Sequence, residues 1–394
     1  MATMQDSSAT QVSSAVMTHP RRRERAEGLA RRLGLDAVVV DPSPDEAPSA
    51  LRTAVRAWQA IGPGASHHLV VQDDVSASAG FLSQVAGAVA GHPTEALAFY
   101  THWNSRNGAA VRLAALAGAA WVRGVPEEFT PTQAVCLPAA QAEAFHRYAR
   151  GSTEVHDDEI LSELLRRAGR MSLLAVPNVV EHLDTDSISG HAWHGVRRSA
   201  CLVDAAGVGD LLGSGRVLES VDCLPYMRRG AAHLRVEGPD GVLGTRGHAR
   251  WRDALPATGL APEQLRELVR GHRPADTAAA VARHFGAPYA DELWIHCLLL
   301  GWRAACLAPR FAPPAGQDPL GGLGERIRDT AVSTIGVGGL PPDVRHLVPS
   351  DGSRLLTEYA WTGVRAGRTL AGPAPRSTRS AAAPAPAGHT TLRP

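Results

Sequence analysis

Ser66-His-His-Leu-Val-Val-Gln-Asp-Asp-Val-Ser76 is a short apolar run that stops abruptly at two adjacent carboxylates. A stretch of Leu, Val and His this brief is too short for a helix and suits a buried strand. Asp73 and Asp74 are then expected where that strand leaves its sheet, the edge at which open α/β sheets bind ligands. Two neighbouring acids repel one another unless a cation or a set of donors lies between them, and hard oxygen ligands of this kind suit Mg²⁺ or Mn²⁺. A structural role competes: Asp before Ala-Gly-Phe-Leu also serves as the N-cap of a following helix.

Working outward, apolar runs alternate with helical spacing. Residues 12–17 read as a first strand, followed by Thr18-His-Pro-Arg-Arg-Arg and a helix in which Leu29 and Leu33 lie four apart, closed by Gly34. Residues 37–40 form a second strand ending at Asp41. Leu51, Val55, Trp58 and Ile61 mark a helix over 47–61, and Phe81, Leu82, Val85 and Val89 another after the two aspartates. With a strand at 96–100, a β-α-β-α-β-α-β order emerges within about a hundred residues. That order predicts an α/β fold with a mostly parallel sheet flanked by helices. The glycine fingerprint of a dinucleotide-binding fold is absent after the first strand, and Gly207-Val-Gly209 has the wrong spacing for it, so a nicotinamide or flavin dehydrogenase is disfavoured.

Further along, 132–137 reads as a strand and 138–150 as a helix. Glu154-Val-His-Asp-Asp-Glu-Ile-Leu then opens a helix whose core face carries Ile160, Leu161, Leu164 and Leu165. Asp157, Asp158 and Glu159 fall in its first turn, where the helix dipole tolerates acids, and that stabilisation alone would account for them. A strand at 171–176, a break at Pro177 and an extended piece ending at His182 follow.

Composition removes whole classes. All 40 basic residues are arginine, so enzymes that need a lysine amine, among them P-loop NTPases, kinases and Schiff-base enzymes, cannot be built here. A net charge of +1 gives no case for a nucleic-acid partner. The five cysteines are odd in number and form no Cys-x-x-Cys pair. With no apolar signal segment after a basic start and no transmembrane-length run, a reduced, cytoplasmic setting is the expectation.

In this order and on these elements, three features resemble the GT-A fold nucleotide-sugar glycosyltransferases, nearest to family-2-like and lipopolysaccharide-core-type members. They are the strand ending Val-Val-Gln72-Asp73-Asp74-Val, the pair Asp157-Asp158 followed by Ile-Leu, and Pro177-x-x-x-x-His182 followed by Ser187. The resemblance covers roughly residues 10–200. It implies that Asp74 and His182 hold Mn²⁺ or Mg²⁺ at the donor's diphosphate, and that Asp158, with Asp157 as the alternative, is the base that takes a proton from the acceptor hydroxyl. Gln72 stands where the family places an acid on the ribose, a departure at the nucleotide contact, although Gln still accepts from a hydroxyl. Asp73 would hold the ribose or orient the loop, Ser187 would meet a phosphate, and Thr18, Arg21 and Asp41 fall where the family places base and ribose. The implied activity is metal-dependent transfer of a sugar from a nucleotide-sugar donor to a hydroxyl of a glycan, a natural product or a peptide. Inversion is expected, since one placed base suffices for direct displacement.

Other chemistries share these residues. Asp184-Thr-Asp186 is a second Asp-x-Asp, but it follows no strong apolar strand and reads as a loop over the donor. His191 and His194 offer two nitrogens to zinc without a supporting third ligand. A metal-dependent hydrolase or phosphodiesterase would also use clustered acids and histidine, and a non-catalytic binding protein would keep the same fold. The expected organisation is a tail at 1–10, the GT-A-like domain at 11–200, a mainly helical accessory region at 201–308 with a hairpin near 234–243, a Gly/Pro-rich linker with short helices at 309–372, and a Pro/Ala/Ser tail at 373–394. Oligomeric state is not readable from the sequence.

Overall fold

A computed structural model describes residues 11–183, 195–237, 249–312 and 320–371. Both expected tails, Ser187, Asp184, Asp186, His191 and His194 lie outside the described residues. The strands are β1 (Val12–Thr18), β2 (Ala37–Val40), β3 (His67–Gln72), β4 (Val75–Ala77), β5 (Leu97–Ala98), β6 (Trp121–Arg123), β7 (Ala134–Pro138), β8 (Leu173–Ala175), β9 (Val180–His182), β10 (Val217–Leu218), β11 (Cys223–Arg228) and β12 (Ala231–Val236). Eight of them form one sheet in the order β10-β6-β8-β5-β7-β3-β1-β2. Pairings β1–β2, β1–β3, β5–β8 and β6–β10 are parallel. Strand β7 runs antiparallel to both β3 and β5, and β6 antiparallel to β8. The α/β class with a mostly parallel sheet is therefore observed.

Strand β3 lies inside this sheet between β1 and β7. Its two opening histidines are polar groups in a buried strand, and each is satisfied. His67 Nε2 lies 2.9 Å from the Pro93 carbonyl, His68 Nε2 2.9 Å from the Ala57 carbonyl, and His68 Nδ1 2.8 Å from Ser13 Oγ. Burial holds both imidazoles below their usual pKa, so they stay neutral where a charge would be expensive. Helices cover the sheet. Arg23–Leu33 ends on Gly34, whose φ of 75° gives the left-handed cap anticipated there. Ala50–Ala57 is shorter than the periodicity over 47–61 predicts, because the Ser49 hydroxyl accepts from the Arg52 N–H at 3.2 Å and fixes its start.

Helix Arg106–Ala117 had no counterpart in the sequence reading. Every residue after Arg106 is buried, so it shows no polar face and hence no amphipathic stripe to detect. It packs against Ala287–Leu307 and Gly321–Gly339. Arg112 bonds from it to Thr334, with Nε to Oγ1 at 2.9 Å and Nη2 to the carbonyl at 3.0 Å.

Two expected boundaries change. The α/β unit does not stop at 200, because β10 joins the main sheet beside β6. A hairpin of β11 with β12 turns at Arg229 and Gly230, whereas most of the hairpin expected near 234–243, with its Gly-Pro-Asp-Gly, lies outside the described residues. The stretch read as a linker at 309–372 contains two long helices, Gly321–Gly339 and Ser350–Arg368. Several of their glycines, Gly336, Gly363 and Gly367 among them, are packing residues. A Cβ added at Gly301 of Ala287–Leu307 would fall on the Val364 carbonyl, and one at Gly367 on the Leu298 carbonyl. No helix among the described residues is long and apolar enough to cross a membrane.

This packing gives a test. Gly367→Ala is expected to destabilise the protein by about 1–3 kcal/mol or more, since two helix backbones must separate to admit a methyl group. Gly28→Ala, inside Arg23–Leu33 with nothing within 4 Å of the added atom, should stabilise it by about 0.5–1 kcal/mol. Urea denaturation of both variants checks the opposite signs.

Candidate functional site

Strands β1, β2 and β3 end on one side of the sheet, and their last residues line a cleft of about 400 Å³. Thr18, Asp41, Gln72, Asp73 and Asp74 stand on it, and across it stand Asp157 and Asp158 at the start of helix Asp157–Arg167. Seven of the residues anticipated from sequence are thus brought to one place, although they come from the ends of three strands and the start of one helix. His182 joins them through the small sheet. Strand β4 pairs antiparallel with β9 in a register that sets Val75 opposite His182, and the Leu183 N–H donates to the Asp74 carbonyl at 2.7 Å. The imidazole Nε2 then lies 3.4 Å from Asp74 Oδ2.

The two acids of the first pair differ. Asp73 accepts a hydrogen bond from the Thr18 hydroxyl and another from Arg22 Nη1 at 3.2 Å, so its side chain is held in place by β1 and the turn after it. Burial raises its pKa, with the Thr18 bond opposing and the Asp74 charge reinforcing. For Asp74 burial also acts upward, but His182, Arg197 and Arg22 together outweigh it and hold the carboxyl below its usual range. Of the two, Asp74 is the one whose charge its surroundings favour more. Its Oδ1 is buried without a hydrogen-bond partner, and so are both ring nitrogens of His182, which is only 3% exposed. Orphaned buried acceptors of this kind call for a ligand.

The second pair behaves in the opposite sense. Asp157 is buried, and desolvation followed by the Asp158 charge pushes its pKa to about 7, against the Thr132 hydroxyl bond. Asp158 is half-buried and also raised, mainly by desolvation, with the Glu159 N–H bond at 2.9 Å opposing. The proton therefore favours the closed Asp157 over the more open Asp158. Thr132, which no sequence signal marked, accepts from Gln72 Nε2 at 3.1 Å and links the end of β3 to this helix start.

Two expected contacts move. Arg21 is exposed and does not line the cleft, whereas its neighbour Arg22 does. His19 caps the turn Pro20–Arg22 by accepting from the Arg21 N–H, and that turn decides which of three consecutive arginines points inward. Asp41 lines the cleft, but both its oxygens are taken by Arg52, at 2.7 and 2.8 Å, and this ion pair holds its pKa down. It shapes the wall instead of offering a free carboxylate to a ribose. Phe129, one of the few exposed large apolar side chains, also lines the cleft and was not anticipated. Gln72 presents its amide oxygen while its NH₂ is engaged with Thr132.

No protein-family model matches this chain. No curated protein matches it either.

Among the described residues no group of three or more His, Cys, Asp or Glu side chains could by itself hold a metal ion. Asp74 and His182 supply two donors, a carboxylate and an imidazole. Mg²⁺ and Mn²⁺ sites that complete their shell with phosphate oxygens and water need no more than that from the protein.

Proposed function

We propose that this cleft transfers a sugar from a nucleotide diphosphate donor to an acceptor hydroxyl, in the manner of a GT-A glycosyltransferase and with inversion. One observation carries the proposal: two acid pairs some eighty residues apart in sequence face a single cleft at the strand ends, one with its carboxyl held ionised and the other holding a proton near neutrality. Transfer needs both behaviours. A cation for the departing diphosphate needs an ionised ligand, and the incoming hydroxyl needs a base of raised proton affinity already in position. Asp74 and His182 would hold Mn²⁺ or Mg²⁺, which when bound neutralises charge on the diphosphate. Asp158 takes the acceptor proton, Asp157 stays neutral behind it, and Thr132 with Gln72 keeps the two halves of the cleft in register. Phe129 offers an apolar face to a sugar ring. Five free cysteines, four of them buried, suit a reducing cytoplasm.

A donor screen by thermal shift tests this. Nucleoside diphosphates and their sugars, with and without Mn²⁺, are expected to stabilise the protein, by about 2.7 kcal/mol at a hundredfold excess over Kd. If no nucleotide moves the melting temperature while phosphoesters are hydrolysed, the cleft belongs to a metal-dependent hydrolase.

A further inference from the structure

Arg22 occupies the ground where a metal would be drawn. Its Nη1 lies 3.2 Å from Asp73 Oδ1 and 3.5 Å from Asp74 Oδ2, so one nitrogen serves both carboxylates. The contact to Asp73 is a hydrogen bond, whereas 3.5 Å to Asp74 is too long for a strong charge-assisted one. Arg22 also ends the short turn Pro20–Arg22, at the junction with helix Arg23–Leu33, and its side chain is 16% exposed toward the cleft. The same Oδ2 lies 3.4 Å from His182 Nε2, and Asp74 Oδ1 is buried without a hydrogen-bond partner. One oxygen of Asp74 is thus shared by Arg22 and His182, and the other is left for a ligand.

We propose that Arg22 is the built-in counter-ion of the acid pair, and that a divalent cation must displace it from Asp74 in order to bind. The inference rests on the metal role given to Asp74 above and adds to it a competition. A guanidinium and a divalent ion cannot share Asp74 Oδ2 without strong repulsion. The cation alone therefore binds weakly, and an anionic diphosphate, which accepts both the ion and the released guanidinium, makes metal and donor load together. By linkage each then strengthens the other equally.

The test measures Mn²⁺ binding without nucleotide, from the electron paramagnetic resonance signal of the free ion, on the whole protein. Arg22→Gln is expected to bind Mn²⁺ on the order of tenfold more tightly than wild type. Arg197→Gln removes a positive charge whose effect on Asp74 is no smaller than that of Arg22, so if displacement from contact and not the general field is what counts, it should gain less all the same. Asp74→Asn should lose the site. Circular dichroism confirms folding, and Arg22→Met, which keeps the aliphatic stem, repeats the measurement. If Arg22→Gln matches wild type while Asp74→Asn still loses binding, Arg22 is not the competing ion and the inference is overturned, with the metal role of Asp74 intact. Equal gains in Arg22→Gln and Arg197→Gln also overturn it, since a general field then explains the effect. Unchanged Mn²⁺ affinity in Asp74→Asn removes the metal role itself.

Discussion

Asp158→Asn should lower sugar transfer by about 10²- to 10⁴-fold, the usual worth of a placed general base, while the melting-temperature rise given by donor and Mn²⁺ stays intact. The amide keeps the size of the side chain and still accepts the Glu159 N–H, so the helix start is preserved while the proton acceptor is gone. Asp74→Asn is the mirror case. It should remove the Mn²⁺-dependent part of the donor's thermal shift, because the side chain beside His182, with its orphaned Oδ1, then carries no charge for a cation. Measured side by side, the two variants separate binding from chemistry. Equal loss of donor binding in both would end the division of labour between the two acid pairs.

Asp157→Asn should make the protein more stable at pH 8 and leave it nearly unchanged at pH 4. The sign follows from an acid whose folded pKa, about 7, lies above its unfolded value of about 3.9. Below pH 4 the carboxyl is protonated in both states and imposes no penalty. Between 4 and 7 the unfolded chain ionises while the folded one does not, so stability falls by about 1.4 kcal/mol per pH unit, and above 7 the loss is complete. The total is on the order of a few kcal/mol, all of it removed by an amide that is neutral throughout. Urea midpoints of wild type and variant across pH 4–8 check this, and parallel curves would show that Asp157 is not held protonated by its surroundings. The same penalty is what a site retaining a buried acid near its catalytic base imposes on the fold.

Much of the site was legible because carboxylates at the ends of elements are local features. An apolar run followed by Asp-Asp, and an acid pair before Ile-Leu, place side chains at a strand end and a helix start whatever the rest of the chain does. The helix over 106–117 was invisible for the opposite reason: buried on every side, it has no period to read. Glycine misled over 309–372, since its sequence signal is the same whether it frees the backbone or lets two helices touch, and at Gly336 and Gly367 it does the second.

What the sequence determined alone was the alternation of strands and helices, the exclusion of lysine chemistry and the candidate acids at element ends, because these follow from neighbours within a few residues. Only the tertiary structure decided that Arg22 and not Arg21 meets the acids, that Arg52 takes up Asp41, that Thr132 bridges Gln72 toward Asp157, and that the β4–β9 register sets His182 against Asp74. Apart from Arg52 with Asp41, those pairings join positions more than fifty residues apart, and His182 lies more than a hundred residues beyond Asp74. They depend on which strand lies beside which, and that is set by the packing of the whole core and not by any stretch of it.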